Sequence, residues 1–187
     1  MIFLSLFLGA LSWTFLEYVI HRWLGHDSRF KPNFFSHEHT RHHSQGNYFA
    51  PFKIKVLMAA AGIAILAPPA LLLLDSLNGI FWVIGLVGMY LVYERFHNHL
   101  HVHPGFGPYG RWARRHHFYH HFMNPHVNHG VTTPIWDIVF GTYRTAPRIR
   151  VPEKLAMLWL QTEEGFEIPA QLSCDYELVP LDKAPQA

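Results

Sequence analysis

The chain has 187 residues, a length that suits one domain, and half of them are apolar. Its 15 Lys and Arg stand against 13 Asp and Glu, a formal charge of +2, and its 16 histidines outnumber Lys and Arg together. The single cysteine, Cys174, excludes an intramolecular disulfide framework and any CxxC zinc site, and there is no Walker loop or dinucleotide-binding glycine pattern.

In chain order, the first element is MIFLSLFLGALSWTFL, 16 residues that end at Glu17 and extend through Tyr18, Val19 and Ile20. No basic segment opens it and no cleavage site precedes LEYVIHRW, so it reads as a span rather than a signal peptide. Residues 21–53 are polar and hold SHEHTRHH. Residues 56–74, VLMAAAGIAILAPPALLLL, run 19 positions without a charge, and residues 76–93, SLNGIFWVIGLVGMYLVY, run 18. A spanning helix needs roughly 20 mainly apolar residues, so both are long enough. Pro68-Pro69 is expected to break or kink the second span. The third leads into HNHLHVH at 97–103, PGFGP at 104–108 is expected to be a turn-rich linker, and RRHHFYHH follows at 114–121. In the more polar tail, EKLAMLWLQTE at 153–163 is expected to form a short helix on the cytoplasmic face.

Spans at about 1–20, 54–74 and 77–96 place 21–53 and 97–187 on one side of the membrane, with only the turn at Asp75 opposite. Arg and Lys exceed Asp and Glu in 21–53 and in 97–154, so that side is expected to be the cytoplasm. Every histidine falls there. The expectation is an all-α integral membrane protein with about three transmembrane helices and a cytoplasmic helical cap carrying a histidine-rich dimetal site. Residues 1–145 would form the membrane-embedded domain and 146–187 a polar tail packed on the cytoplasmic face. Trp13, Trp23, Trp112 and Trp136 read as interface anchors. The basic and aromatic run RWARRHHFY needs no nucleic acid, since a cytoplasmic membrane surface attracts the same residues.

The histidines are grouped by spacing: His21 and His26 five apart, His97 and His101 four apart, and HxxHH at 39–43 and 117–121. Spacings of three and four share a helical face, so one HxxHH helix can serve two neighbouring ions. Neutral imidazole binds iron, copper and zinc. Ten ligands are too many for one ion, and a closed structural zinc cage needs only four. Two redox irons that activate dioxygen account for the pattern better, and the apolar surroundings point to a lipid substrate.

The motifs HRWLGH, HTRHH, HNHLH and HFYHH, followed by NHGVTTPIWDIVFGTY, resemble the fatty acid hydroxylase and sterol desaturase superfamily over about residues 10–145. The resemblance implies a dinuclear iron centre held by His21, His26, His39, His42, His43, His97, His101, His117, His120 and His121. It implies dioxygen as cosubstrate, and zinc can displace iron on overexpression. His116, LEYVIHRW and IWDIVFGTY are closest in style to fatty acid 2-hydroxylases, which oxidise the carbon next to the acyl carboxyl group. Sterol and carotenoid hydroxylases or desaturases are the alternative within the superfamily. Two departures stand out: one apolar segment precedes His21 where 2-hydroxylases carry two hairpins, and no cytochrome b5 domain precedes it. Electrons are therefore expected from a separate ferredoxin, cytochrome or flavoprotein reductase.

Glu17, Glu94 and Asp137 are candidates to orient a ligating imidazole, and His116 and His129 are further candidate site residues. His37, His99, His103 and His126 read as surface or locally bonded residues. Two other classes fit less well. A zinc hydrolase would want HExxH, and Glu38 sits in HEH, at the wrong spacing. A metal transporter would want polar groups within the spans, and 56–74 and 79–92 hold neither charge nor histidine.

Overall fold

The computed structural model describes residues 1–104, 107–162 and 167–180. Residues 105–106 of the expected linker, residue 163 of the expected tail helix, and 181–187 lie outside the described residues. Among the described residues six α-helices form: α1 (Ile2–Val19), α2 (Phe34–Gln45), α3 (Phe52–Leu73), α4 (Ser76–Val102), α5 (Gly107–Phe122) and the short α6 (Ile135–Val139). A π-helix, Ile20–His26, continues directly from α1. Among the described residues three helical stretches are long and apolar enough to cross a membrane: Ile2–His26, Phe52–Leu73 and Ser76–Val102. Only 6% of the most apolar window of α3 is buried by protein, so its apolar surface calls for lipid.

The chain divides into two compact units, Met1–Leu16 with Ala50–Arg95, and Glu17–Phe49 with Phe96–Ala187. In the first, α1 and α4 meet through glycine. A Cβ on Gly9 would overlap the Trp82 carbonyl, and one on Gly85 the Leu6 carbonyl. Small residues let apolar helices approach closely where lipid removes the hydrophobic drive. Trp13 is not simply an interface anchor: it packs edge-on against Tyr90, with ring centroids 4.8 Å apart. Pro68 and Pro69 lie inside α3, which does not break there. Each proline removes one donor from the ladder, a loss that membrane helices tolerate. Asp75, at φ 59°, starts α4 by accepting from the backbone N–H of Leu77 (3.1 Å) and Asn78 (3.0 Å).

The second unit holds the aqueous-type core. Phe118 and Phe122 of α5 pack with Ile149, Val151, Met157, Leu160, Leu172 and Tyr176 of the tail. Burying each such side chain contributes about 1.5–3 kcal/mol. The expected helix at 153–163 does not form. Two 3₁₀ turns, Glu153–Leu155 and Leu158–Leu160, take its place. Pro152 precedes the first turn, and Met157 and Leu160, three apart, both point into the core. The tail also adds a two-stranded parallel sheet, β1 (Ile149–Pro152) with β2 (Tyr176–Val179), in the register Ile149 to Tyr176. Arg114 of α5 is buried beneath it, donating to the Tyr176 hydroxyl (2.8 Å) and lying 4.9 Å from the Trp159 ring. The tail thus backs the helix that carries the fourth histidine cluster.

Candidate metal centre

The five-residue spacing of His21 and His26 finds its explanation in the backbone. In an α-helix, five residues turn about 140° past a full turn, and the two rings would diverge. The i→i+5 winding of the π-helix over Ile20–His26 returns the second residue over the first. The rings stand 5.3 Å apart, centroid to centroid. Gly25 lets α2 close on this turn, since a Cβ there would stand 3.0 Å from His39 Cδ2.

Ten histidines assemble into two groups of five: His21, His26, His39, His43 and His120; and His42, His97, His101, His117 and His121. Within each group the ligand nitrogens all lie within 4.8 Å of one another. Both HxxHH helices serve both groups. From α2, His39 and His43 enter the first and His42 the second; from α5, His117 and His121 enter the second and His120 the first. The i,i+4 pair shares one group and the i+3 residue crosses to the other, as helical geometry requires. His43 and His121, one from each group, stack at 4.1 Å and 7°.

Backbone carbonyls set the tautomers. His21 Nδ1 lies 2.5 Å from the His129 carbonyl, His42 Nδ1 2.6 Å from that of Tyr48, and His120 Nδ1 2.8 Å from that of Val127. Each Nδ1 must carry the proton, which leaves Nε2 as the free lone pair facing inward. The inward nitrogens crowd together: His39 to His26 at 2.7 Å, His101 to His117 at 2.9 Å, His97 to His117 at 3.0 Å and His120 to His43 at 3.2 Å. Nitrogens this close either share a proton or face a common cation. Opposite nitrogens bound at about 2.1 Å from one ion stand about 4.2 Å apart. The residues present therefore fit one ion per group.

Among the grouped histidines outside the spanning helices, His39, His43, His117, His120 and His121 are held well below the ordinary imidazole range. Burial is the largest cause and the neighbouring imidazoles the next. They are neutral at pH 7, the form that binds metal.

The carbonyl that orients His21 is itself clamped. Asp137, fully buried, accepts four hydrogen bonds: from His129 N (2.9 Å) and Thr142 Oγ1 (2.7 Å) on one oxygen, and from Gly130 N (2.8 Å) and His116 Nε2 (3.1 Å) on the other. Burial alone would raise this carboxyl, but the hydrogen bond and charge of His116, with Thr142 and Gly130, outweigh it and hold Asp137 below the usual range. Glu17 grips the next two residues, accepting from Val131 N (2.5 Å), Thr132 N (2.9 Å) and Thr132 Oγ1 (2.7 Å). Asn128, at φ 57°, opens this loop, and its side chain exchanges hydrogen bonds with the backbone of Arg144 (2.7 and 2.9 Å).

Of the five residues expected to support the ligands, Asp137 and Glu17 act on the 129–132 backbone and not directly on a ligating imidazole. Their oxygens are taken up by the N–H groups of His129, Gly130, Val131 and Thr132 and by the side chains of Thr132, Thr142 and His116. Glu94 has a different partner, an ion pair with Lys55. His116 donates to Asp137, and His129 lies beside the first group, its ring 5.3 Å from that of His120. Burial first, and His21 next, push His129 down to about 3. His37, His103 and His126 are exposed. Sequence reasoning missed Tyr18, Arg22 and Thr142, which extend the clamp: Arg22 donates to the Tyr18 hydroxyl (2.7 Å), which lies 3.0 Å from Thr142 Oγ1. The only available signal was their place in LEYVIHR and FGTY, beside residues already singled out.

Known proteins resemble this chain in sequence and fold. The sequence profile of the fatty acid hydroxylase family matches residues 6–142. Ceramide very long chain fatty acid hydroxylase SCS7 of Saccharomyces cerevisiae is 33% identical over 142 residues, 72% of this chain and 36% of that protein. Fatty acid 2-hydroxylase of Mus musculus is 35% identical over 156 residues, 75% of this chain and 40% of that protein. The chain thus matches well under half the length of either relative. A solved structure of full-length scs7p, with only its hydroxylase domain visible, is similar at a TM-score of 0.61 and 26% identity, covering 75% of this chain and 55% of that one. With the profile spanning most of its length and the histidines gathered as described, the chain belongs to the fatty acid hydroxylase family.

Proposed function

We propose that the protein is a non-haem diiron membrane oxygenase that hydroxylates a fatty acyl chain, at the 2-position or close to it. The observation that carries this reading is the pair of five-histidine groups sharing two helices. Each group would hold one iron through its own five histidines. When bound, the irons supply dioxygen reduction and C–H oxidation: R–H, O2, two electrons and two protons become R–OH and water. The names of the relatives, a ceramide very long chain fatty acid hydroxylase and a fatty acid 2-hydroxylase, favour an acyl substrate over a sterol. The basic excess of 21–53 and 97–154 favours a cytoplasmic site, fed by a separate ferredoxin, cytochrome or flavoprotein reductase.

The chain's own residues hold and orient. The carbonyls of Tyr48, Val127 and His129 keep the Nδ1 protons in place, so that Nε2 presents a lone pair without rearrangement. Burial of His101, His117 and His120 excludes bulk water from the rings. Phe49 and Phe118 pack edge-on against His101 and limit its tilt.

The test is a Mössbauer spectrum of protein made in iron-57 medium and purified in mild detergent, with iron counted on the same sample. Zinc acquired on overexpression is first exchanged for iron. Two coupled irons per chain are expected. One iron or none in properly folded, iron-loaded protein would overturn the reading.

A further inference from the structure

A pocket of about 520 Å³ lies along α5, and none of the ten grouped histidines lines it. Its walls include Arg111, Trp112, Arg115, His116, Tyr143 and Arg144, and no carboxylate is among the described residues that line it. His116 is sandwiched there, its ring 5.2 Å from Trp112 and 5.3 Å from Tyr143, with interplanar angles of 29° and 21°. Trp112 Nε1 also donates to the Tyr143 hydroxyl at 3.3 Å. The pocket wall is thus a stack of three rings whose middle member is buried.

From that middle ring an unbroken path leads to the first histidine group. His116 Nε2–H donates to Asp137 (3.1 Å), Asp137 accepts from His129 N (2.9 Å), and the His129 carbonyl accepts from His21 Nδ1–H (2.5 Å). His21 Nε2 then faces its group. Two covalent residues and three hydrogen bonds join a solvent-facing aromatic stack to a proposed ligand. A purely structural Asp137 needs no such stack, since backbone and hydroxyl donors already occupy both of its oxygens.

We propose that this pocket receives an acidic one-electron carrier protein of the ferredoxin or cytochrome class, and that electrons pass through Trp112 and His116 toward His21. The inference rests on the diiron reading above and names where its reductant binds. The charge fits: three guanidiniums reach the pocket, and among the described residues the one carboxylate paired with them, Asp175, is 2% exposed and holds Arg111 and Arg115 at 2.6 Å each. A positive mouth with an aromatic wall attracts and orients a negative partner. Each transfer oxidises one carrier and reduces one iron of the centre, and two transfers serve one turnover. No proton needs to move along the path.

The experiment uses the full chain in detergent, with two irons per chain verified beforehand, so failure of the diiron reading shows at that step. The protein is mixed anaerobically with a prereduced [2Fe–2S] ferredoxin or cytochrome b5, and carrier oxidation is followed by absorbance. Dithionite with methyl viologen serves as the small reductant. Trp112→Leu should slow carrier-driven reduction by about tenfold or more, Trp112→Phe should recover part of it, and reduction by methyl viologen should stay unchanged. Arg144→Glu should weaken carrier binding about tenfold, leave the rate at saturating carrier intact, and flatten the dependence on salt. Equal rates for Trp112→Leu and wild type overturn the proposal. So does slowing with both reductants, which would place the effect at the centre, and so does a wild-type protein that accepts electrons from neither carrier.

Discussion

The two histidine groups hold the same number of imidazoles by different means. The second draws His97 and His101 from the regular α-helix α4, and aromatic rings pack round it: Phe49 against His42, His97 and His101, and Phe118 against His101 and His121. The first draws His21 and His26 from a π-helix, leaves His26 and His43 half-buried, and depends on a loop clamped by two carboxylates. One group is held by periodicity and packing, the other by an irregular backbone and buried polar bonds. Packing degrades gradually when one side chain is trimmed, whereas a buried polar network loses its function when one member goes.

The largest effect that separates them should come from removing a ligand on each side. His120→Ala should empty the first group and His101→Ala the second, each lowering iron from two per chain towards one and turnover by at least about a hundredfold. Metal counting beside acyl-product analysis checks this, and full iron in either variant would remove that residue from the ligand set. Next in size, Phe118→Ala should cost about 3–5 kcal/mol of stability, because it empties the core between α5 and the tail. Thermal unfolding in detergent would show it as an early transition; an unchanged midpoint would mean that the tail does not support the second group.

Asp137→Asn sharpens the contrast. It should weaken metal binding by about 10- to 100-fold, as loss of an outer partner does, and only in the first group. Chelator competition followed ion by ion would reveal one weak and one strong site; two equally weakened sites would contradict the separation. Gly25→Ala should act more mildly, pushing the His39 ring by a few tenths of an ångström and lowering turnover several-fold with iron retained. The smallest effect concerns the ion pairs that tie the tail to α5. Burial raises the Asp175 carboxyl, but Arg111 and Arg115 outweigh burial and hold it below the usual carboxylate range. A carboxyl depressed in the folded state stabilises above its unfolded value of about 3.9, and that contribution fades as pH falls through the folded value. Asp175→Asn should therefore unfold earlier than wild type near neutrality, and the gap should close in acid. A gap that stays constant with pH would leave the ion pairs without a part in stability.

Much of this was legible before any coordinates. The three apolar spans were visible in uncharged runs, and the pairing of His97 with His101 followed from a spacing of four. The tail was misjudged because EKLAMLWLQTE reads equally well as helix or irregular chain until Phe118 and Phe122 claim Met157 and Leu160. Glu94 looked like a support for histidine, but Lys55, 39 residues away, is the partner that neutralises it. Asp137 was singled out, yet its way of acting, through a main-chain carbonyl, lies in no motif.

Local sequence carried the chemical character and the secondary skeleton: imidazoles at helical intervals, set against runs of apolar residues long enough for a bilayer. Those properties are local, read from neighbours a few positions apart. Which imidazoles gather in one group, and which nitrogen each presents, follows from the fold. His21 is oriented by a carbonyl 108 residues away, and His43 meets His120 across 77. Partners that distant are chosen by the folded backbone, including a π-turn that five-residue spacing alone does not announce.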